Sequence, residues 1–480
     1  MIPQKVIDEL AQVVGERYVL YAPEDLIVFE YDGSQATGYP EVVVVPGSAE
    51  EVARTIKIAH REGIPVVPRG AGTSISGGAL ASTGGILLPM TRLKRVLEID
   101  AENLVAVVEP GLVNLDLSAA VSQYGLYYAP DPSSQKACTI GGNVAENAGG
   151  PHCLSYGVTT NHVLGLEVVL YNGDLMWVGG KVRDVPGYDL TGAIVGSEGT
   201  FVAVTKVIVR LMPKPESVKT LLAVYDDPID ATNTVSAVIG AGIVPAALEM
   251  IDNVVIRAVE KVIKAGFPED AGAVLLIEVE GLEESTKEEV SAIEAICKAN
   301  NATLVRAADD PAERERLWAG RKSAFGALGS VAPNYYIVDG VVPRSRLPEI
   351  MKKIEEICGR YRVLAGNVFH AGDGNLHPII LFDEREAGAK DRVLEAGGEV
   401  MRACIDVGGA LTGEHGIGVE KQVYMHWAFT PEDMQAMKRL RTAFCPDASF
   451  NPGKIFPDEA PPHQESGLHR PVLQASGMYV

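Results

Sequence analysis

Apolar positions along the chain follow two rhythms, one helical and one strand-like, that alternate for most of its length. Near the start, Ile7, Leu10 and Val14 fall at helical spacing among charged residues and predict an amphipathic helix. EVVVVPG (41–47) reads as a strand and SAEEVARTIKIAHREG (48–63) as a helix. In that helix Ser48 and Glu51 form a capping box, Val52, Ile56 and Ala59 share a face, and Gly63 stands at the C-cap. IPVVPRG (64–70) is a second strand, completing a βαβ unit. The runs GGILLPM (84–90), NLVAVVEPG (103–111), VLGLEVVLYNGD (163–174) and TFVAVTKVIVRL (200–211) extend an α+β pattern to about residue 212.

MPKPES (212–217) carries two prolines and marks a boundary. Strands and helices then alternate again. Helices are expected near 282–299, 310–328, 346–358 and 386–406, and a strand–loop–strand over RVLAGNVFHAGDGNLHPIILFD. A last packed helix is expected near 430–443, and residues 458–480 read as a loose tail.

Length and composition narrow the classes. At roughly 150 residues per domain, 480 residues predict two or three domains. The 47% hydrophobic and 22% charged content is that of a globular chain. The net charge of −21 repels phosphate backbones, so no nucleic-acid partner is expected. No apolar run approaches the ~20 residues that span a bilayer, and the N-terminus has no signal-peptide h-region. None of the six cysteines (138, 153, 297, 358, 404, 445) is spaced as C-x2-C. Free thiols in a reducing, cytoplasmic setting are the expectation, without local iron–sulfur or zinc-ribbon motifs.

Six stretches carry candidate chemistry. PVVPRGAGTSISGGAL (65–80) offers small residues whose N–H groups can approach an anion, with Arg69, Thr73, Ser74 and Ser76 as further donors. The same residues also make a plain glycine-rich turn. DPSSQKACTIGGNVAENAGGPHCLSYGVTTNHVLG (131–165) has the polar, nearly uncharged make-up of a chain lying along a polar ligand. VGSEGTFVAVT (195–205) sets a Gly-Ser-Glu-Gly turn before a strand. In LAGNVFHAGDGNLHPII (364–380), His370 and His377 flank a reversing loop, and LTGEHGIGVEK (411–421) supplies Glu414 beside His415. Two imidazoles and a carboxylate suit a divalent metal with open positions, two unconnected core histidines being the alternative. In ERERLWAGRKSAFGAL (313–328), Trp318, Arg321 and Phe325 share one helical face. Arg321 is there either for bidentate capture of a carboxylate or as a solvated arginine.

Together these stretches resemble the FAD-linked oxidase family with the PCMH-type (vanillyl-alcohol-oxidase) flavin fold. The branch most similar is that of glycolate oxidase FAD subunits and FAD-dependent D-lactate dehydrogenases, with D-2-hydroxyglutarate dehydrogenases more distant. The likeness runs over about residues 10–457, and HAGDGNLHP with TGEHGIG carries it most specifically. It implies an α+β fold: a PCMH-type FAD-binding domain over 1–217 and an α+β substrate (cap) domain with the metal site over 218–417. A C-terminal helical segment over 418–457 would then complete the flavin site, followed by the tail 458–480.

The resemblance assigns the pyrophosphate loop to Arg69, Gly70, Ala71, Gly72, Thr73, Ser74 and Gly77. It assigns the flavin ring to Pro130, Asp131, Ser134, Thr139, Gly142, Asn143, Asn147, Gly149, Gly150, Glu198, Gly199 and Ile208, with Asn451 and Lys454 closing from the C-terminal end. The pyrophosphate loop lacks a histidine, so FAD is expected to be non-covalent, His152 and Cys153 being the other attachment candidates. His370, His377 and Glu414 match the family's ligands for zinc, iron or manganese, His415 its base, and Arg321 its substrate-carboxylate arginine. Ile337 and Ile379 stand where hydroxyglutarate relatives have a lysine and an asparagine, which favours a monocarboxylate.

The implied reaction is oxidation of a small D-2-hydroxy acid, D-lactate or glycolate, to the 2-oxo acid. Electrons would pass to a partner protein, an iron–sulfur subunit or an electron-transfer flavoprotein, which could tether the protein to the periphery of a membrane. A metal-independent alcohol oxidase of the same fold, using oxygen, is the alternative.

Overall fold

A computed structural model describes residues 2–182 and 186–457. The expected tail 458–480 lies outside the described residues. Contacts divide the chain into two compact units. One comprises residues up to Ser217, Glu414–Val423 and the stretch from Asp433 on, and the other comprises Val218–Gly413 and Tyr424–Glu432. The chain therefore re-enters the first unit at Glu414, four residues before the boundary expected at 418, and the GEHG sequence begins at that crossing.

In the first unit the opening helix, Gln4–Val14, buries Ile7, Leu10 and Val14 beside the helix Ala49–Glu62. Ser48 accepts the Glu51 amide at the start of that second helix, and Gly63 ends it in the left-handed conformation. The expected βαβ unit forms with one difference. The strands Val42–Val44 and Val66–Arg69 do not pair with each other, because Ile86–Pro89 lies between them, parallel to both. All four residues of the middle strand are buried, the pattern of a central strand covered on both faces. Among the described residues this sheet has four strands, and a separate antiparallel sheet of five follows in the order 96–100, 105–108, 203–210, 163–169, 175–179. The stretch 131–165 is less irregular than its composition suggests, since it folds into the short helices Ile140–Glu146 and Cys153–Tyr156.

The second unit is built on a nine-stranded sheet of described residues, with Ala247–Asp252 between Ala273–Gly281 and Leu364–His370. Every residue of Ala247–Asp252 is buried. The expected helix 310–328 is interrupted. Pro311–Lys322 ends as Ser323 leaves helical geometry (φ −96°, ψ 2°), and Ala324–Leu328 starts afresh. Phe325 therefore stands on a separate short helix from Trp318 and Arg321.

Candidate active site

In the first unit, five segments separated in sequence converge. Gly70, at the start of the candidate phosphate loop, lies so close to the helix Ile140–Glu146 that a Cβ there would fall 2.5 Å from Thr139 Oγ1. Thr139 caps that helix by accepting from Gly142 N. At its other end the helix receives the Gly-Ser-Glu-Gly turn, as Gly196 N donates to Val144 O and Glu198 N to Ala145 O, each at 2.8 Å. The TGEHGIG segment enters next. Ile417 N and Gly418 N both donate to the Glu198 carboxylate at 2.7 Å. Gly418 has φ 54° and touches the Ser76 carbonyl, a place that only glycine fits.

Asn451 ties the loop to the turn. Its Nδ2 donates to Gly78 O at 2.9 Å and to Glu198 O at 2.7 Å. Lys454 Nζ donates to Leu80 O and Ser82 Oγ at 2.7 Å each, and burial lowers its pKa to about 8. Pro130 O accepts from Asn114, Asp131 holds His152 Nδ1 at 3.0 Å, and Ile208 joins Val105 and Val107 in a small buried patch.

Two expected phosphate donors are otherwise employed. Arg69 Nη1 donates to Ala79 O and Nη2 to Tyr31 O, so its guanidinium braces the loop from within. Ser76 is fully buried beneath it. The loop closes over both side chains, and Ser74 Oγ is also drawn into it, accepting from Gly78 N at 3.3 Å.

Sequence reasoning missed Glu146. Burial, then the charges of Glu198 and Asp32, push its carboxyl well above the ordinary range; burial does the same for Glu198. Glu146 Oε2 and Asn451 Oδ1 are buried without a hydrogen-bond partner, and a Cβ on Gly199 would meet nothing closer than 3.8 Å. Unsatisfied buried polar atoms beside an open backbone face are what a polar ligand in close contact requires. The residues fit FAD.

Glu414 and His415 belong to this unit. A Cβ on Gly149 would lie 2.7 Å from Glu414 Oε2, and His415 Nε2 is 3.8 Å from Glu414 Oε1. His415 is buried.

The second unit holds the two histidines. His370 ends the strand Leu364–His370, and His377 precedes Pro378–Phe382 after a tight loop. The two buried rings meet edge to face with centroids 5.2 Å apart. Arg321 is buried rather than solvated. Its Nε and Nη2 both lie 2.6 Å from Glu249 Oε2, and Glu249 Oε1 lies 2.8 Å from His370 Nδ1. Burial alone would raise the Glu249 carboxyl, but Arg321 and His370 outweigh it and hold it below the ordinary value. Asp339 stands 3.8 Å from His377 Nδ1 and accepts from Thr412 Oγ1 and Gly413 N, the residues immediately before Glu414. Two neighbouring imidazoles, each beside a carboxylate, form a donor set that fits a divalent metal.

Glu249 and Asp339 were also missed, although each is an acid inside an apolar run, Glu249 with Asp252 in AALEMID and Asp339 alone in YYIVDGVV. A charge that cannot avoid burial signals a specific partner.

Comparison with known proteins decides the family. Residues 214–455 match the family described as FAD linked oxidases, C-terminal domain, and residues 40–179 match the FAD binding domain. The chain belongs to the FAD-linked oxidases. It is 46% identical to glycolate oxidase subunit GlcD of Escherichia coli K12 over 94% of this chain and 91% of that one. It is 43% identical to GlcD of Bacillus subtilis, covering 96% and 98%. It is 31% identical to the mitochondrial D-lactate dehydrogenase [cytochrome] of Arabidopsis thaliana, covering 95% and 81%. In fold it is similar to p-cresol methylhydroxylase (TM-score 0.79, 17% identity, 94% and 96% covered). It is also similar to 4-ethylphenol oxidase of Gulosibacter chungangensis (TM-score 0.75, 19% identity, 95% and 97% covered). The PCMH-type, mixed α and β architecture is thereby established for an FAD-linked oxidoreductase.

Proposed function

We propose that the chain is the flavin-bearing catalytic subunit of a D-2-hydroxy-acid dehydrogenase that converts D-lactate or glycolate to the 2-oxo acid. The observation that carries this reading is the docking of GEHGIG in the flavin unit. Glu198 receives the amides of Ile417 and Gly418, so the chain's best candidate base, His415, is built into the unit that fits FAD. The near-full-length similarity to glycolate oxidase subunits supports the substrate class.

Bound FAD would supply a hydride acceptor, and a divalent metal would supply Lewis acidity at the substrate hydroxyl. His370 and His377 would hold that metal, and the Gly70–Gly77 loop with Thr139, Asn143, Glu198 and Asn451 would hold FAD. Arg321 binds the substrate carboxylate and so orients the α-hydrogen. His415 takes the hydroxyl proton, a task open to a neutral imidazole.

The test is anaerobic titration of the FAD-loaded protein with D-lactate and glycolate. The flavin absorption should bleach with one or both. An unbleached flavin, or bleaching by simple alcohols in metal-free protein, would favour a metal-independent alcohol oxidase instead.

A further inference from the structure

We infer that Glu249 is the positioning residue of the metal half of the site, selecting the ring nitrogen through which His370 binds metal and restricting how Arg321 meets substrate. The inference rests on the reading that His370 is a metal ligand.

Backbone register makes the arrangement possible. Glu249 and His370 are direct partners across the antiparallel strands Ala247–Asp252 and Leu364–His370. Side chains at directly paired positions emerge on the same face of a sheet, so carboxylate and imidazole are delivered to each other by the fold. Glu249 Oε1 then sits 2.8 Å from Nδ1. A carboxylate only accepts, whereas a neutral imidazole has one donor and one acceptor nitrogen. Arg321 Nη2, a donor, approaches the same nitrogen at 3.5 Å, but the shorter carboxylate contact outweighs it, places the proton on Nδ1 and leaves the lone pair on Nε2 for a metal. Histidine ligands in general use a carboxylate or carbonyl in this way to fix tautomer and ring orientation.

The second carboxylate oxygen acts on Arg321. Nε and Nη2 are both engaged by Oε2, and Nη1 is buried with no hydrogen-bond partner. The lateral edge of the guanidinium that would form a fork with a substrate carboxylate is thus occupied, and the end bearing Nη1 remains. A buried ion pair is weak evidence for stability, because desolvation offsets most of its attraction. Sharing one carboxylate between a candidate ligand and a candidate substrate-binding group is better explained as positioning.

The experiment compares wild type, Glu249→Gln and Arg321→Met as full-length, FAD-loaded protein. Zn²⁺ affinity is measured by titration, together with FAD content and unfolding temperature. Glu249→Gln keeps the shape but loses the charge, and metal affinity should fall ~10–100-fold with FAD content unchanged. Arg321→Met removes the ion pair yet leaves the carboxylate on His370, so Zn²⁺ affinity should stay within about threefold, well under 1 kcal/mol. Equal affinity in Glu249→Gln and wild type would overturn the inference, and so would a loss in Arg321→Met as large as that in Glu249→Gln. If Glu249→Gln does not fold, the Arg321→Met result decides alone. Failure of both to fold would make the cluster a structural keystone and also overturn it. A wild-type protein that takes up no divalent metal would instead refute the function proposed above.

Discussion

Ile337 and Ile379 face each other in register across the antiparallel strands Asn334–Ile337 and Pro378–Phe382. Both pack into the apolar cluster that includes Val255, Leu328 and Phe325. Where hydroxyglutarate relatives carry polar side chains, this chain has an apolar pair. An unpaired carboxylate brought against such a surface loses several kcal/mol. D-2-hydroxyglutarate should therefore show kcat/KM at least about a hundredfold below D-lactate or glycolate, each 1.4 kcal/mol being tenfold. Ile337→Lys should narrow that gap. Equal turnover of mono- and dicarboxylate by the wild-type enzyme would remove the basis for a monocarboxylate site.

His415 and His377 should fail in different ways. His415→Ala should slow flavin reduction by ~10²–10⁴-fold while FAD and metal stay bound, the cost typical of losing a general base. His377→Ala should lose metal, and with it activity, while keeping FAD, because no flavin assignment uses His377. Stopped-flow reduction and metal analysis of the two purified variants check this. Near-normal reduction in His415→Ala would require another base.

Asn451 supports a third expectation. Its side chain satisfies two buried carbonyls, and Asn451→Ala leaves both without that donor. At ~1–3 kcal/mol per unsatisfied buried group, the flavin unit should lose about 2–6 kcal/mol and release FAD during gel filtration. Urea midpoints and the flavin-to-protein ratio measure it. A variant that keeps both would show that Asn451 is incidental to the cradle.

The glycine-rich stretches were legible in sequence because their chemistry is local: small residues, few charges and fixed spacing. Most elements were legible for the same reason, as hydrophobic period and capping box reside within a single element. What escaped depends on partners distant in sequence. Nothing near Arg69 says that its guanidinium turns inward to Tyr31 O, 38 residues away. Glu249 reaches His370 across 121 residues, through strand register that a one-dimensional pattern does not encode. The insertion of Ile86–Pro89 between the strands of the βαβ unit is likewise a choice of topology made by packing.

Asp252 should leave a pH signature in the second unit. Burial raises its carboxyl from 3.8 to about 6, against hydrogen bonds from the Val255 and Asn367 amides. A raised folded-state pKa means that its contribution to stability is fully present below 3.8 and is lost as pH rises through 6. The change amounts to about 3 kcal/mol at 1.36 kcal/mol per pH unit. Relative to non-titrating Asp252→Asn, wild-type protein should lose melting temperature between pH 4 and 7. Parallel curves for the two proteins across that range would contradict the shift.

Electron exit gives the last expectation. Reduced flavin must be reoxidised, yet the sequence has neither a C-x2-C pair nor a C-x-x-C-H haem site. Among the described residues no helix is long and apolar enough to cross a membrane. We expect a separate protein to accept the electrons. The relatives' names agree, since one type is a subunit and another names cytochrome. A net charge of −21 favours an acceptor that presents a basic patch, and such attraction weakens as salt shortens the Debye length from ~10 Å at 0.1 M to ~3 Å at 1 M. Turnover with oxygen should therefore be slow and with a small neutral dye fast. The rate with a protein acceptor should fall steeply between 0.05 and 0.5 M salt (on the order of tenfold), while the dye rate stays nearly flat. Oxygen consumption, peroxide yield and dye reduction on one preparation are the measurements. Stoichiometric peroxide at the dye rate would make the protein a true oxidase that needs no partner.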